Sequence, residues 1–311
     1  MTLSKYFPNI CLLICLGMSF IAQSQTLRLG TNVWPGYEPL YFARNEGKLS
    51  TDEVRLVEYR SATQVMNAMK FGAIDAAALT LDEAISLTND GIPLSVILIT
   101  DISNGGDVIL SEPKITAAEQ LKGKIVGVED TALGAYMLSR FLELHQLSMR
   151  DISLKRLPIY KHEGAFKKGK VNAVVTFEPV RSKLIEFGAS TLFSSSEIAG
   201  EIVDVIVVRS KQVEKFKKAS QALKSAWAFA LEQIKHRPDY AYKKLGSRLK
   251  LDKEATRLAY AGLILPDMAE NQKMLKQGGQ LDLTIRMMKK TMMKQGLLVE
   301  KGHKSSLQIV N

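Results

Sequence analysis

The sequence is poor in the side chains that carry catalytic and metal chemistry. It contains only two cysteines and four histidines among 311 residues. The histidines are scattered without metal-ligand spacing, and no G-x-S-x-G, P-loop, H-E-x-x-H or G-x-G-x-x-G motif occurs. Because no nucleophile stands beside a base, the sequence favours binding over catalysis. We therefore expect neither enzymatic activity nor a bound cofactor or metal.

Both cysteines, Cys11 and Cys15, lie near the amino terminus. This segment has one lysine, no acidic residue, an apolar run too short to cross a membrane, and small residues up to Ser24. The pattern predicts a secretory signal peptide over residues 1–24, cleaved after about Ser24, and a periplasmic protein. A lipoprotein anchor would need a small residue before Cys15, where Ile14 stands. The exported chain would then contain no thiol and no disulfide.

The formal charge of +10 is unevenly distributed. Residues 25–210 carry 20 basic and 23 acidic side chains, whereas residues 211–311 carry 21 and 9. No zinc finger and no basic strand with interleaved aromatic residues accompanies the lysines, so we expect no nucleic-acid partner. A solvated helical face is the simplest interpretation of the basic part. Docking to an acidic partner or a membrane surface is the alternative.

Two stretches of the chain match at a constant spacing of 97 residues. Gly72-Ala-Ile-Asp-Ala76 aligns with Gly169-Lys-Val-Asn-Ala173, and the same spacing places Gly30 on Gly127. Each half predicts a succession of strand, helix, strand, helix and strand. The alternative to a duplicated lobe is that two unrelated α/β units with equal loop lengths align by chance.

The repeat predicts an α/β fold with two lobes, each a mostly parallel sheet flanked by helices. Residues 25–107 and 204–311 are expected to form lobe 1, with helices at its carboxyl end, and residues 108–203 lobe 2. One crossing between lobes follows the buried strand Leu94–Thr100, and the other leads into the β-branched strand Glu201–Val208. Two crossings imply a hinge and a cleft.

Helix caps follow two of the predicted strands. Ser61-Ala-Thr-Gln64 and Thr80-Leu-Asp-Glu83 match capping boxes at strand-to-helix junctions. Such junctions gather at the carboxyl edge of a parallel sheet, where ligands bind. We therefore expect a binding site between the lobes, at these edges.

Several segments together carry a family resemblance. They are Leu27–Ala43, Gly72–Ala84, Asp101–Leu110, Val126–Tyr136, Phe177-Glu-Pro179 and Ile202–Arg209. In order and spacing they resemble the periplasmic solute-binding proteins of ABC importers, in the branch for nitrate, taurine, aliphatic sulfonates and the thiamine pyrimidine precursor. The enzymatic relatives use a cysteine-rich motif, which the expected mature chain lacks.

The resemblance implies a periplasmic-binding-protein fold of type II whose lobes close by a hinge on a small ligand. It also implies a monomer that delivers this ligand to an ABC permease in the inner membrane. The alternative is a ligand sensor that reports to a membrane signalling protein.

The resemblance also indicates which residues contact the ligand. In lobe 1 these are Asn32, Trp34, Gly36, Tyr37, Arg60, Ser61, Thr80, Leu81 and Asp82; Ser103, Asn104 and Gly105 line the crossing; and Thr131, Ala132, Leu133 and Glu178 come from lobe 2. Trp34 and Tyr37 are candidates to sandwich an apolar ligand body. Glu178 is either a helix cap or a contact in the cleft.

The charge of the ligand is left open by these residues. Free amides at helix amino termini favour a sulfonate, nitrate or carboxylate. Asp82, Asp107 and Glu178 near the same edge favour a cation or an amine-bearing heterocycle instead. On balance we expect a small anionic or zwitterionic organic solute.

Overall fold

A computed structural model describes residues 25–129, 132–299 and 306–310. The predicted signal peptide and Thr131 lie outside these ranges. Within them, no helix combines the length and the apolar character that crossing a membrane requires. The described chain forms two β-sheets flanked by helices.

The elements alternate as the repeat predicts. The strands are β1 (Leu27–Thr31), β2 (Val54–Glu58), β3 (Ala76–Thr80), β4 (Leu94–Ser103), β5 (Val108–Ser111), β6 (Ile125–Val128), β7 (Ser153–Arg156), β8 (Ala173–Thr176), β9 (Ser190–Ser194), β10 (Val203–Arg209), β11 (Leu263–Ile264) and β12 (Gln308–Ile309). The helices are α1 (Glu38–Asn45), α2 (Ala62–Lys70), α3 (Leu81–Asn89), α4 (Ala132–Leu144), α5 (His162–Lys167), α6 (Val180–Glu186), α7 (Lys217–His236), α8 (Pro238–Leu249), α9 (Lys253–Ala261), α10 (Met268–Met274) and α11 (Gln280–Lys294).

The first sheet has the strand order β11-β4-β10-β3-β1-β2, with β12 beside β4, and the second has the order β7-β6-β8-β5-β9. The chain passes to the second sheet between β4 and β5 and returns between β9 and β10. The repeated strands pair in parallel. Both sheets are nevertheless mixed, because β5 and β10, which enter a sheet from a crossing, run antiparallel to their neighbours.

The repeat extends to the register of the sheets. Gly30 on β1 lies opposite Ala77 on β3. In the second sheet Gly127 on β6 lies opposite Val174 on β8, so both partners are displaced by the same 97 residues. A shift of one residue would turn every side chain of a strand to the other face. The two halves therefore present corresponding positions to corresponding sides of their sheets.

A side-chain bond fixes the entry to the third strand in both halves. The Asp75 carboxylate accepts a hydrogen bond from the Arg28 amide at 3.1 Å. At the corresponding place the Asn172 side-chain oxygen accepts from the Ile125 amide at 2.9 Å. Asp and Asn both offer a short acceptor to a free backbone donor, which explains why these residue types occupy the repeated position.

The carboxyl-terminal helices pack against the first sheet and its helices. Helix α7 lies on α1, and α11 lies on α3. Helix α10, which the sequence patterns did not predict, is fixed to β4 by Asn271, whose side chain accepts from the Ile99 amide at 2.7 Å and donates to the Ile99 carbonyl at 3.0 Å. This helix is too short to display a clear apolar period.

Candidate functional site

A pocket of about 510 Å³, a volume that includes space open to solvent, lies between residues that follow β1 and β3 of the first sheet and residues that end or follow β6 and β8 of the second. It is lined by Asn32, Trp34, Tyr37, Ala62, Thr80, Glu83, Asp107, Glu129, Leu133, Gly134, Val175, Thr176, Phe177 and Asp204. The cavity thus lies at the strand ends where ligands bind in α/β proteins.

Among the described residues, five of those predicted from the sequence line this cavity: Asn32, Trp34, Tyr37, Thr80 and Leu133. The two aromatic residues attach to buried acids through their polar atoms. The Trp34 indole nitrogen donates to Asp101 at 3.1 Å, and the Tyr37 hydroxyl donates to Asp204. The Trp34 ring also meets the edge of Phe177, from the other half of the chain, with centroids 5.5 Å apart. These contacts fix both rings as walls of the cavity.

Gly36 has a steric role in this wall rather than a place on the cavity surface. A Cβ atom at this position would lie 1.7 Å from the Asp101 carboxylate and 2.7 Å from the Trp34 indole nitrogen. Only glycine therefore lets the loop after β1 approach β4 closely enough for the bond between Trp34 and Asp101.

Four buried carboxyl groups dominate the chemistry of the cavity. Glu83, Asp107, Glu129 and Asp204 line it, and each has one oxygen with no hydrogen-bond partner in the described chain. No lysine, arginine or histidine of the described residues lines the same space. Because buried polar atoms are nearly always paired in folded proteins, these four oxygens indicate a place for hydrogen-bond donors.

Burial makes these acids hard to ionise. It raises the pKa of Asp107 to about 7, and it raises the pKa of Asp101, behind Trp34, to about 7 as well. The pKa values of Glu83 and Asp204 lie well above the usual range, since repulsion by a neighbouring acid adds to burial. Burial also raises the pKa of Glu129. A positive charge placed among these groups would favour their ionised forms.

The helix ends near the cavity already have acceptors from the chain itself. At the start of α3 the Thr80 amide donates to Glu83 at 3.1 Å, which is half of the predicted capping box. At the start of α2, Ser61 accepts from the Gln64 amide at 3.4 Å and Thr63 donates from its hydroxyl to Glu129 at 2.9 Å. These carboxylates occupy the positive ends of the helices, so the site is a poor receptor for a simple anion.

Leu81, Asp82 and Arg60, which the sequence also predicted, lie outside the cavity lining. Leu81 and Asp82 are fully buried in α3, behind Thr80. Arg60 is exposed at the surface and stacks on Tyr160, with its guanidinium carbon 4.0 Å from the ring centroid. Ala132 begins α4.

The predicted crossing residues have structural partners instead of a place in the cavity. The Ser195 hydroxyl bonds Ser103 at 2.8 Å and accepts from the Gly105 amide at 2.7 Å, while Asn104 is exposed. The two crossings are thereby tied together.

Glu178 acts as a helix cap. Its carboxylate accepts from the Arg181 guanidinium at 2.9 Å and from the amide and hydroxyl of Ser182 at 3.2 and 2.9 Å. These bonds turn it into α6 and away from the cavity lining. Of the two interpretations left open by the sequence, the cap is the one that the structure has.

The motif comparison missed several lining residues that the repeat identifies. Glu129 lies 97 residues after Asn32, and Phe177 lies 97 residues after Thr80. The same spacing relates Gly134 to Tyr37. A search for positions equivalent to the first-lobe candidates would therefore have found the corresponding walls of the second lobe.

Comparison with known proteins gives one family match and several matches of fold. The model of the NMT1-like family matches residues 22–244. The alkanesulfonate-binding protein SsuA from Xanthomonas axonopodis pv. citri, bound to MOPS, has a TM-score of 0.75 and 19% identity over 88% of this chain and 94% of its own. No curated protein sequence matches the chain significantly.

Two further solved structures share the fold. A ligand-binding component of an ABC-type import system from Staphylococcus aureus, with zinc bound, has a TM-score of 0.74 and 13% identity over 91% of this chain and 96% of its own. The periplasmic aliphatic sulphonate-binding protein SsuA from Escherichia coli has a TM-score of 0.71 and 17% identity over 89% and 94%. The two-lobed α/β fold expected from the sequence is confirmed.

Proposed function

The chain belongs to the NMT1-like family, and from this premise we propose that it is a periplasmic solute-binding protein that delivers a small ligand to an ABC importer in the inner membrane. The ligand would bind in the cavity between the sheets and leave it chemically unchanged. Residues 25–107 with 204–311 would move as one lobe and residues 108–203 as the other. No cofactor takes part in this proposal.

The acid-lined cavity is the observation that supports a particular class of ligand. Four carboxyl groups with raised pKa values surround the space, and no basic side chain of the described chain balances them there. A bare sulfonate or nitrate would meet repulsion from every ionised acid. A protonated amine or an amino-substituted heterocycle would instead supply donors to the unpartnered oxygens. We therefore place a cationic or donor-rich group of the ligand in this cavity, whereas the sequence led us to expect a small anionic or zwitterionic solute.

Closure of the lobes would depend in part on contacts across the cleft. Glu129 follows β6 in the second sheet, and Thr63 belongs to α2 beside the first, so their bond of 2.9 Å joins the two halves. A ligand that binds Glu129 would strengthen the closed arrangement only if it binds the open one less tightly.

Binding of a cation to these acids should be accompanied by release of protons. Asp107 has a pKa of about 7, so near neutral pH it is partly protonated before the ligand arrives. A bound amine would stabilise the carboxylate and expel that proton. Calorimetric titration in buffers with different heats of ionisation should show net proton release on binding.

A thermal-shift screen tests the proposal directly. Amines, amino-substituted pyrimidines, amino acids, nitrate and alkanesulfonates would be compared at equal concentration. A ligand present at 100 times its dissociation constant stabilises a protein by about 2.7 kcal/mol, which is easily measured. We expect stabilisation by an amine-bearing compound. Stabilisation by nitrate or simple alkanesulfonates, with none by any amine, would contradict the proposal.

A further inference from the structure

A second, outer chamber adjoins the acidic cavity. It has a volume of about 800 Å³, which includes space open to solvent, and lies between the two halves of the chain, since Arg60 and Lys250 come from the lobe 1 side whereas Tyr160 and Lys183 come from the lobe 2 side. Asn32 and Phe177 line both chambers. A ligand that extends past these two side chains would therefore occupy both.

The charge of the outer chamber is opposite to that of the inner cavity. Among the described residues, four basic side chains line it, against one acid, Glu163. Two of the four already have partners: Lys183 lies 3.5 Å from Glu163, and Arg248 is paired with Glu38 at 2.7 Å and with Glu58. The remaining two basic side chains set the character of the chamber.

Arg60 and Lys250 have no carboxylate partner among the described residues. Arg60 lies over the Tyr160 ring in a cation–π contact, with its guanidinium carbon 4.0 Å from the ring centroid, and no carboxylate of the described residues takes up its N–H donors. Lys250 is the exposed residue that ends α8 in a left-handed conformation. Both charges line the outer chamber, which shares Asn32 and Phe177 with the acidic cavity.

We propose that the ligand is bipolar: its cationic group enters the acidic inner cavity while an anionic group, a carboxylate, sulfonate or phosphate, binds Arg60 and Lys250 in the outer chamber. This inference rests on the proposed function and adds the second half of the ligand to it. A planar guanidinium held on a ring offers paired donors to such an anion.

Matched series of small molecules test the two halves separately. The probes are γ-aminobutyrate, δ-aminovalerate and ε-aminocaproate, together with the alkylamines and the alkanoates of the same chain lengths. Affinity is measured by calorimetric titration of the mature protein at low salt and again at high salt. We expect one of the amino acids to bind roughly three- to tenfold more tightly than the alkylamine of its length, with the difference reduced at high salt.

Charge-removing variants assign that difference to the outer chamber. The double variant Arg60→Gln/Lys250→Gln should bind the amino acid no better than the alkylamine. Arg55→Gln is the matched control, because it removes an exposed charge from β2, five residues before Arg60, outside both chambers. It should leave the difference intact. All three positions are exposed, so the variants are expected to fold.

The outcomes separate this inference from the proposed function. Equal affinity for amino acids and alkylamines in the unaltered protein would overturn the bipolar ligand and leave the cationic site standing. Binding of alkanoates without binding of any amine would overturn both proposals. Failure of every aminoalkanoate to bind at millimolar concentration would also overturn the bipolar ligand.

Discussion

Asp101 and Asp204 lie directly opposite each other on the antiparallel strands β4 and β10, and both are buried. Residues in such positions have Cβ atoms about 5 Å apart, and like charges there are destabilising. Burial first, and repulsion by Asp101 second, hold the pKa of Asp204 well above its usual range. Trp34 donates to one acid and Tyr37 to the other. The two aspartates therefore hold the aromatic walls of the cavity in place, and Asp204 also contributes to its acidic lining.

Asp204→Asn should stabilise the unliganded protein and weaken binding of the ligand. Asparagine keeps an oxygen for the Tyr37 hydroxyl but removes the repulsion, so we expect a gain of at least about 1 kcal/mol in the free energy of unfolding near pH 8. Loss of the charge should weaken binding of an amine by about tenfold or more. Urea unfolding and calorimetric titration measure the two effects.

Asp75→Asn is the control for that substitution. Burial opposes ionisation of Asp75, but the hydrogen bonds from Arg28 outweigh it and lower the pKa. Asparagine stands at the equivalent position of the second half, Asn172, so the shape is tolerated. This variant should lose stability and keep its affinity. A destabilised Asp204→Asn variant with unchanged affinity would contradict our account of the pair.

The unliganded protein should become more stable as the pH falls from about 8 to about 5. Asp101 and Asp107 have pKa values of about 7 and Asp82 of about 6, all above their values in the unfolded chain. The folded state therefore holds protons that the unfolded state has released. Each such proton changes the free energy of unfolding by about 1.4 kcal/mol per pH unit.

One buried histidine opposes this trend. Burial lowers the pKa of His162 to about 4. Below about pH 6.5 this histidine is therefore protonated in the unfolded chain but remains neutral in the folded chain. The proton taken up by the histidine in the unfolded chain cancels the stabilising effect of about one acid. The free energy of unfolding should therefore still increase as the pH falls. Urea midpoints at three pH values within this window are sufficient to decide. A free energy of unfolding that increases steadily with pH would contradict this expectation, because it would show that the buried acids ionise in the folded protein as easily as in the unfolded chain.

The arrangement of strands was predictable because it depends on local patterns. Buried runs, helix caps and the spacing of Gly72 and Gly169 repeat along the chain, and each is fixed by neighbours in sequence. The acids of the cavity were not predictable in the same way. Glu83 matches a helix cap and accepts the Thr80 amide as such a cap does, but it also lines the cavity, and its other oxygen is buried without a hydrogen-bond partner in the described chain.

Asp204 illustrates why the rest of the site could not be predicted. It stands inside a β-branched run, and the direction of its side chain depends on how β10 pairs with β3 and β4, which are more than a hundred residues away. Arg60 poses the same problem, since its place over Tyr160 depends on how the two halves meet. Contacts between segments so far apart in the chain cannot be predicted from the pattern of neighbouring residues.

Tryptophan fluorescence should report binding through Trp34 alone. Trp34 lines the cavity, whereas Trp227 is fully buried in α7 and donates to the Pro266 carbonyl at 3.0 Å. These are the two tryptophans of the chain. A ligand from the thermal-shift screen should therefore change the emission of the Trp227→Phe variant and leave that of Trp34→Phe unchanged.

The affinity of the Trp34→Phe variant gives a second readout. The substitution removes the bond to Asp101 and part of the wall, so we expect roughly tenfold weaker binding, of the size of one lost hydrogen bond to a charged group. Trp227→Phe should lose stability through its cavity but keep its affinity. Full affinity in Trp34→Phe would remove Trp34 from the binding site.

Gly36→Ala should break the wall of the cavity without touching the ligand. The new methyl group would lie 1.7 Å from Asp101, so either the loop moves or the bond between Trp34 and Asp101 is lost. Overpacking of this kind costs about 1 to 3 kcal/mol. Gly164→Ala is the control, because this residue lies in α5 with open space around it, where alanine is favoured by about 1 kcal/mol. We expect a lower urea midpoint and a shifted Trp34 emission for the first variant, and a higher midpoint with unchanged emission for the second. A Gly36→Ala variant as stable as the unaltered protein would show that the loop after β1 need not lie against β4.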